Sequence, residues 1–108
     1  MYLGPIEEYQ NTISEAVRGQ KWAADAQVVL FLSCVAYRAE WRYSVLAHRV
    51  LLIDLGHVGQ NIMLSATALG LGSCCIAAFN PQKSDVLLGL DGEEEYTVYI
   101  VPVGIVNN

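Results

Sequence analysis

The sequence predicts one domain of mixed helix and strand, with elements in the order α-β-α-β-α-β. Three observations carry this reading. Val28-Val29-Leu30-Phe31-Leu32-Ser33-Cys34 is a continuous, β-rich apolar run, the pattern of a strand covered on both faces inside a sheet. From about Val45 to Leu69, apolar residues lie nearly all round one long helix. Tyr96 to Val103 is again β-rich and closes the chain. At 108 residues, with no internal repeat or low-complexity segment, there is room for one domain.

The elements follow in order. Gly4-Pro5 opens the first helix, because proline suits the first helical position. Glu7 and Glu8 fall in its first turn, where negative charge suits the helix dipole. Ile6, Tyr9, Ile13, Ala16 and Val17 form its apolar stripe, and Gly19 is its stop. A short connection through Trp22 and Asp25 leads into the first strand. Tyr37 to Ser44 mixes aromatic and charged residues and reads as a loop or helical turn, a rim or lid over a neighbouring pocket. In the long helix, Gly56, Gly59 and Ser65 leave space for another helix to approach. Glycine costs a helix up to ~1 kcal/mol against alanine, so its repeated use there implies a packing reason. Gly72 ends this helix, and Ser73 to Phe79 reads as a second, short strand. Asn80-Pro81 is a cap followed by a first-turn proline, opening a helix through Val86, Leu87 and Leu88 to Gly89. Asp91-Gly92 with Glu93, Glu94 and Glu95 is an exposed acidic turn. Pro102 marks the last strand as an edge or a terminus there.

Composition narrows the function classes. The chain is 54% hydrophobic and only 16% charged, with a mean hydropathy of +0.35. A domain of this size buries roughly two-thirds of the surface its unfolded chain exposes. So much apolar material implies a leftover apolar surface, and therefore an oligomer, most simply a two-fold dimer. The net charge is −5 and the six basic residues, Arg18, Lys21, Arg38, Arg42, Arg49 and Lys83, are scattered, which argues against a nucleic-acid partner. Cys34, Cys74 and Cys75 are odd in number and two are adjacent, unlike a secreted disulfide framework. Reduced, buried structural thiols in a cytoplasmic protein are the expectation, and the start of the chain has no signal-peptide pattern. Arg49, Asp54, His57, Gln60 and Asn61 interrupt the apolar segment Val45 to Leu71, which speaks against a membrane span.

Few residues suggest chemistry by themselves. His48 and His57 are nine apart, off a common helical face, and neither H-E-x-x-H nor C-x-x-C occurs, so no metal site is expected. No G-x-S-x-G elbow is present, and no catalytic residue is assigned. Gly70-Leu71-Gly72 closes a helix instead of opening one, so it is a helix stop and not a Rossmann turn. Gln60 and Asn61 are two amides inside an apolar helix. Either they satisfy backbone or each other across a dimer seam, or they orient a loop around a ligand. Arg49 is either a paired structural arginine or an anion ligand.

The ordered set Gly19-Gln20-Lys21-Trp22, Ala24-Asp25-Ala26, Leu51-Leu52, Gly56-His57, Gln60-Asn61, Ala66 to Gly72 and Leu87 to Glu94 resembles the nitroreductase family. Within it the chain looks closest to the SagB-type dehydrogenases, the flavin enzymes of thiazole and oxazole peptide maturation. The resemblance runs from about Gly19 to Gly104 and looks like the C-terminal half of the family fold. It implies an α+β, FMN-dependent fold in which a long central helix packs on a small sheet and lies in the core of a homodimer. It also implies FMN at the subunit interface and NAD(P)H as electron donor. Carried over by position, Cys75, Ile76, Ala77 and Ala78 pass beside the flavin ring and offer it backbone groups. Family members usually begin with an arginine- and serine-rich segment that holds the FMN phosphate, and the first basic residue here is Arg18.

Two functions follow as expectations. One is an oxidoreductase passing hydride from NAD(P)H through FMN to a small electron-poor acceptor or a peptide azoline. The other is a flavin-free family member acting as a binding or assembly subunit, as a homodimer or with a longer homologue. A plain helical dimer without a ligand is a third reading, and it differs in expecting no groove beside Cys75 to Ala78.

Overall fold

The computed structural model describes residues 8–38, 41 and 44–106. Its elements are α1 (Tyr9–Ala16), α2 (Lys21–Ala24), β1 (Val28–Val35), a 3₁₀ turn (Ser44–Leu46), α3 (Ala47–Ala68), β2 (Leu71–Ser73), α4 (Pro81–Leu88) and β3 (Glu95–Ile105). The three strands form one antiparallel sheet in the order β1-β3-β2. The expected α+β arrangement, a long helix on a small sheet, is present.

Alternate residues of a strand face opposite sides of a sheet, and here each side has its own cover. On one side Ile76 and Ile100 meet Ile13 and Val17 of α1, Ala23 and Ala24 of α2, and Phe79, with Val29, Phe31 and Leu87 packed against them. On the other side lies α3. Gly59 sits so close to the sheet that a Cβ added there would meet Cys75 Sγ at 3.0 Å and the Tyr99 ring at 3.3 Å.

The helix ends have local causes. α1 stops in a Schellman turn: Gly19 N–H donates to Ser14 O at 2.7 Å and Arg18 N–H to Glu15 O at 3.4 Å. Both Arg18 (φ 55) and Gly19 (φ 79) are left-handed, so an arginine holds the position where glycine is usual. Glu8, also left-handed, precedes α1 instead of lying in its first turn. The opening at Gly4-Pro5, with Ile6 and Glu7, lies outside the described residues. The connection expected around Trp22 contains the helical turn α2. α3 ends at Ala68 because Gly70 turns left-handed (φ 76), while Gly72 lies within β2. α4 is capped as expected: Asn80 Oδ1 accepts from Lys83 N–H at 3.1 Å, with Pro81 first and left-handed Gly89 after its end. In the acidic turn Asp91 Oδ1 accepts three backbone N–H groups, from Glu93, Glu94 and Glu95. Those bonds favour its ionised form and hold its carboxyl below the ordinary value.

Four expectations are corrected. β1 is an edge strand, paired only with β3. β3, expected to be an edge or to end near Pro102, is central and runs on to Ile105, and Pro102 lies inside it opposite Val29. Ile100 exchanges both backbone hydrogen bonds with Ile76, so its polar groups point toward the β2 side. Pro102, two residues on, aims the same way but has no N–H to give. The β2 ladder accordingly stops at Ser73 and resumes in the same register only as an isolated bridge at Ile76. Gln60 and Asn61 are exposed, not buried amides. Among the cysteines only Cys34 is buried, Cys75 is half-buried and Cys74 is exposed.

α3 is not enclosed by the described residues. Only Ala47, Gly59 and Ala66 of it are buried, while Leu52, Ile53, Val58 and Leu64 are exposed. No described helix is long and apolar enough to cross a membrane. Of the Tyr37 to Ser44 segment, Ala39, Glu40, Arg42 and Tyr43 lie outside the described residues, and Tyr37 and Trp41 are exposed.

Candidate functional site

Cys75, Ile76, Ala77 and Ala78 cross the gap between β2 and α4, and the four do different work. Cys75 points under α3 toward Gly59, and its thiol shares a hydrogen bond with the Tyr99 hydroxyl. Burial pushes the Cys75 thiol up, only partly offset by that bond, and burial pushes Tyr99 up as well. Both groups are therefore neutral near pH 7, and Cys75 is no thiolate nucleophile. Ile76 is buried, and its N–H and C=O are both spent on Ile100, at 2.7 and 3.1 Å.

Ala77 and Ala78 are exposed, and their N–H groups have no protein partner among the described residues. Their carbonyls are engaged. Ala77 O accepts from Phe79 N–H at 3.1 Å, and Ala78 O from Gln20 Nε2 at 2.9 Å. The same Nε2 donates to Val17 O at 2.9 Å. One residue on, Arg18 Nε donates to Phe79 O at 2.9 Å, and Asn80 N–H donates to Ala16 O at 2.7 Å. The segment therefore keeps two N–H donors without a partner among the described residues, while its carbonyls are satisfied. Two adjacent free donors suit an electron-rich heteroatom edge of a planar ligand.

Of the flanking cations, one is ion-paired and the other is partly engaged. Arg18 holds Phe79 O, and Lys83 Nζ pairs with Glu15 at 2.9 Å. No cluster of three or more His, Cys, Asp or Glu able to hold a metal occurs among the described residues. Grooves flank α3 on the sheet side. One, of about 410 Å³, is lined mainly by apolar residues including Leu30, Ile62, Leu71 and Val103. Another, of about 490 Å³, includes Ser33, Arg38, Asp54 and Glu95. Residues 75 to 78 line neither. Arg49 and His57 are exposed on α3, away from this segment's hydrogen bonds. Sequence reasoning missed Arg18 and Gln20. The Gly19-Gln20 pair was visible, but nothing local indicated that its amide reaches a loop 58 residues on.

Comparison with known proteins agrees with this architecture. The chain is 32% identical over 98 residues to a nitroreductase-like protein of Methanocaldococcus jannaschii, covering 91% of this chain and 48% of that protein. It therefore spans about half the length of that relative. A nitroreductase-like protein of Anabaena variabilis superposes with a TM-score of 0.81 at 28% identity, covering 92% of this chain and 20% of that one. The NADPH:FMN oxidoreductase of Vibrio harveyi, crystallised with NAD+, shares the fold with a TM-score of 0.78 at 22% identity, over 97% of this chain and 49% of its own. The family model described as Nitroreductase family matches residues 4–105, and the chain belongs to that family.

Proposed function

We propose that the chain is the ring-binding half of an FMN-dependent oxidoreductase that works as a homodimer across α3. The observation that carries this reading is the pair of exposed N–H groups at Ala77 and Ala78, unpartnered among the described residues, beside a helix whose apolar side the described residues leave uncovered. Those donors fit the heteroatom edge of an isoalloxazine ring. FMN, when bound, supplies hydride exchange between NAD(P)H and an electron-poor acceptor. The Vibrio harveyi oxidoreductase, by its description, uses NADPH and FMN, and it shares this fold. The chain's own part is positional. Ala77 and Ala78 would orient the ring, Ile76 anchors their segment to the sheet, and neutral Cys75 and Tyr99 pack beneath it without adding charge. A small electron-poor molecule or a peptide azoline is the acceptor class, the latter following the SagB-type resemblance, and the cytoplasm is the expected location.

The phosphate end does not fit equally well. Lys83 is already paired with Glu15, and Arg18 gives Nε to Phe79 O while keeping its charge and terminal N–H groups, so one flanking cation at most is left for a phosphate, which is poorly held without cationic or helix-terminal donors. That observation favours the second reading, a flavin-free binding or assembly subunit, working alone or with a longer homologue.

A visible absorbance spectrum separates the two. The protein is mixed with FMN and freed of excess by gel filtration. A retained, shifted flavin band that NADH bleaches is the expected result. A folded protein that keeps no flavin transfers the case to the second reading.

A further inference from the structure

The α1–α2 corner grips the ring-facing segment with side chains. Gln20 spends both Nε2 hydrogens on carbonyls, Val17 O at the end of α1 and Ala78 O across the fold, each at 2.9 Å. Arg18 adds Nε to Phe79 O at 2.9 Å. Arg18 does this from a left-handed backbone position (φ 55) that suits glycine better. A side chain kept at such a position invites a reason, and the Phe79 bond supplies one. Two successive carbonyls, 78 and 79, are thus pulled toward α1. A peptide unit is planar, so fixing the carbonyl of one residue fixes the direction of the next N–H. Ile76, paired to Ile100, holds the other end. Fixing Ala78 O therefore fixes Phe79 N–H, which donates to Ala77 O at 3.1 Å, and Ala77 O shares its plane with Ala78 N–H; Ala77 N–H shares its plane with Ile76 O, which Ile100 holds.

We propose that Gln20, reinforced by Arg18, is a positioning residue, a side-chain clamp that holds the Ala78 donor beside the Ile100-anchored Ala77 donor in the orientation a planar heteroaromatic ligand needs. The ligand's identity as flavin rests on the function proposed above, but the clamp itself does not. Asn80 N–H to Ala16 O fixes the same peptide plane that Arg18 holds at Phe79 O, so Arg18 reinforces a backbone bond, whereas Gln20 on Ala78 O ties down a plane whose backbone bond, Phe79 N–H to Ala77 O, stays within the segment. Pre-organised donors bind without paying to order themselves, so loosening the clamp lowers affinity without touching any group on the ligand.

The test uses the whole chain and two readouts. Backbone ¹⁵N relaxation reports order at residues 77 and 78, and FMN titration by fluorescence quenching reports affinity. Gln20→Ala removes one grip, and Gln20→Glu places a carboxylate against two carbonyls. Arg18→Gly removes the guanidinium while easing the left-handed turn, so it retains a folded α1 end. The order parameter at Ala78 is expected to fall from the ~0.85 of rigid backbone toward ~0.6, and that at Ala77 to fall less. Those of Ile100 and Val101 stay unchanged, as proof of an intact sheet. Loss of a hydrogen bond worth ~1 kcal/mol should raise the FMN Kd about five- to ten-fold per variant. Unchanged order in all three variants overturns the clamp. Lost order with wild-type affinity overturns its positioning role. Lost order in a chain whose wild type binds no FMN leaves the clamp standing and removes the flavin reading.

Discussion

Gly59 is the residue on which the contact between α3 and the sheet turns. It is buried, and Cys75 Sγ and the Tyr99 ring already stand where its Cβ would go. Alanine there gains up to ~1 kcal/mol in helix propensity. Against that stands an overpacking cost of ~1–3 kcal/mol, since the ring is fixed on the central strand and only the thiol can move aside. The cost wins, and Gly59→Ala should destabilise the fold by about 1 kcal/mol in a urea melt. Gly56 offers the contrast: it has nothing within 4 Å of its Cβ position, so the chain's own packing does not require it. An equal or raised stability for Gly59→Ala would mean that the helix lies farther from the sheet. The sequence marked both glycines as close-approach sites. It could not say that one serves the sheet of its own chain and the other does not, because i to i+3 spacing leaves the identity of the neighbour open.

At the scale of elements, α4 shows what a cap contributes. Asn80 is both the N-cap and the residue whose N–H ties the segment to Ala16 O. Asn80→Ala keeps the backbone bond and loses the side-chain one, so it should cost ~0.5–2 kcal/mol in a thermal melt. Its disturbance should be confined to α4 and measurable as faster amide exchange at Lys83 and Ser84. A global loss of protection would show that α4 does not unfold as a separate unit. The cap, the first-turn proline, the left-handed Gly89 and the acidic turn were all legible, because each is settled by residues within four positions. Sheet order was not legible. Val28 to Cys34 reads as interior on hydrophobicity, yet it lies at the edge, with Val28 exposed and Val29 to Leu32 only half-buried. Pro102 reads as an edge signal, yet it lies in the central strand, because the missing N–H falls where β2 has already broken off. Local chemistry fixes where an element begins and ends. Which neighbours it acquires depends on residues distant in sequence, and so does the placement of Gln20 against Ala78.

For the molecule as a whole, the unsolved surface is the outer side of α3. Ile53, Gly56, Gln60 and Leu64 recur at i, i+3, i+7 and i+11, which places them on one stripe, and all four are exposed. The stripe lies away from Gly59 and Ala66, which face the sheet. Two apolar side chains separated by a glycine and an amide form a surface on which a second copy of the same helix could pack, the glycine permitting close approach and the amides meeting across the axis. This is the seam proposed for the homodimer, in which Gln60, without a side-chain partner among the described residues, would meet its counterpart. A fully buried Ile or Leu side chain contributes about 1.5–3 kcal/mol, and a carboxylate placed in such a seam has no counter-charge there. Ile53→Glu combined with Leu64→Glu should therefore convert a dimer to a monomer in sedimentation velocity at micromolar concentration. Neither side chain packs in the chain's own core, so far-ultraviolet circular dichroism should be unchanged. The same variant should lose FMN retention if the ring lies between subunits, and should keep it if Ala77 and Ala78 bind it within one chain. A wild-type protein that sediments as a monomer of 11.8 kDa would remove the homodimer and leave a different chain to cover α3.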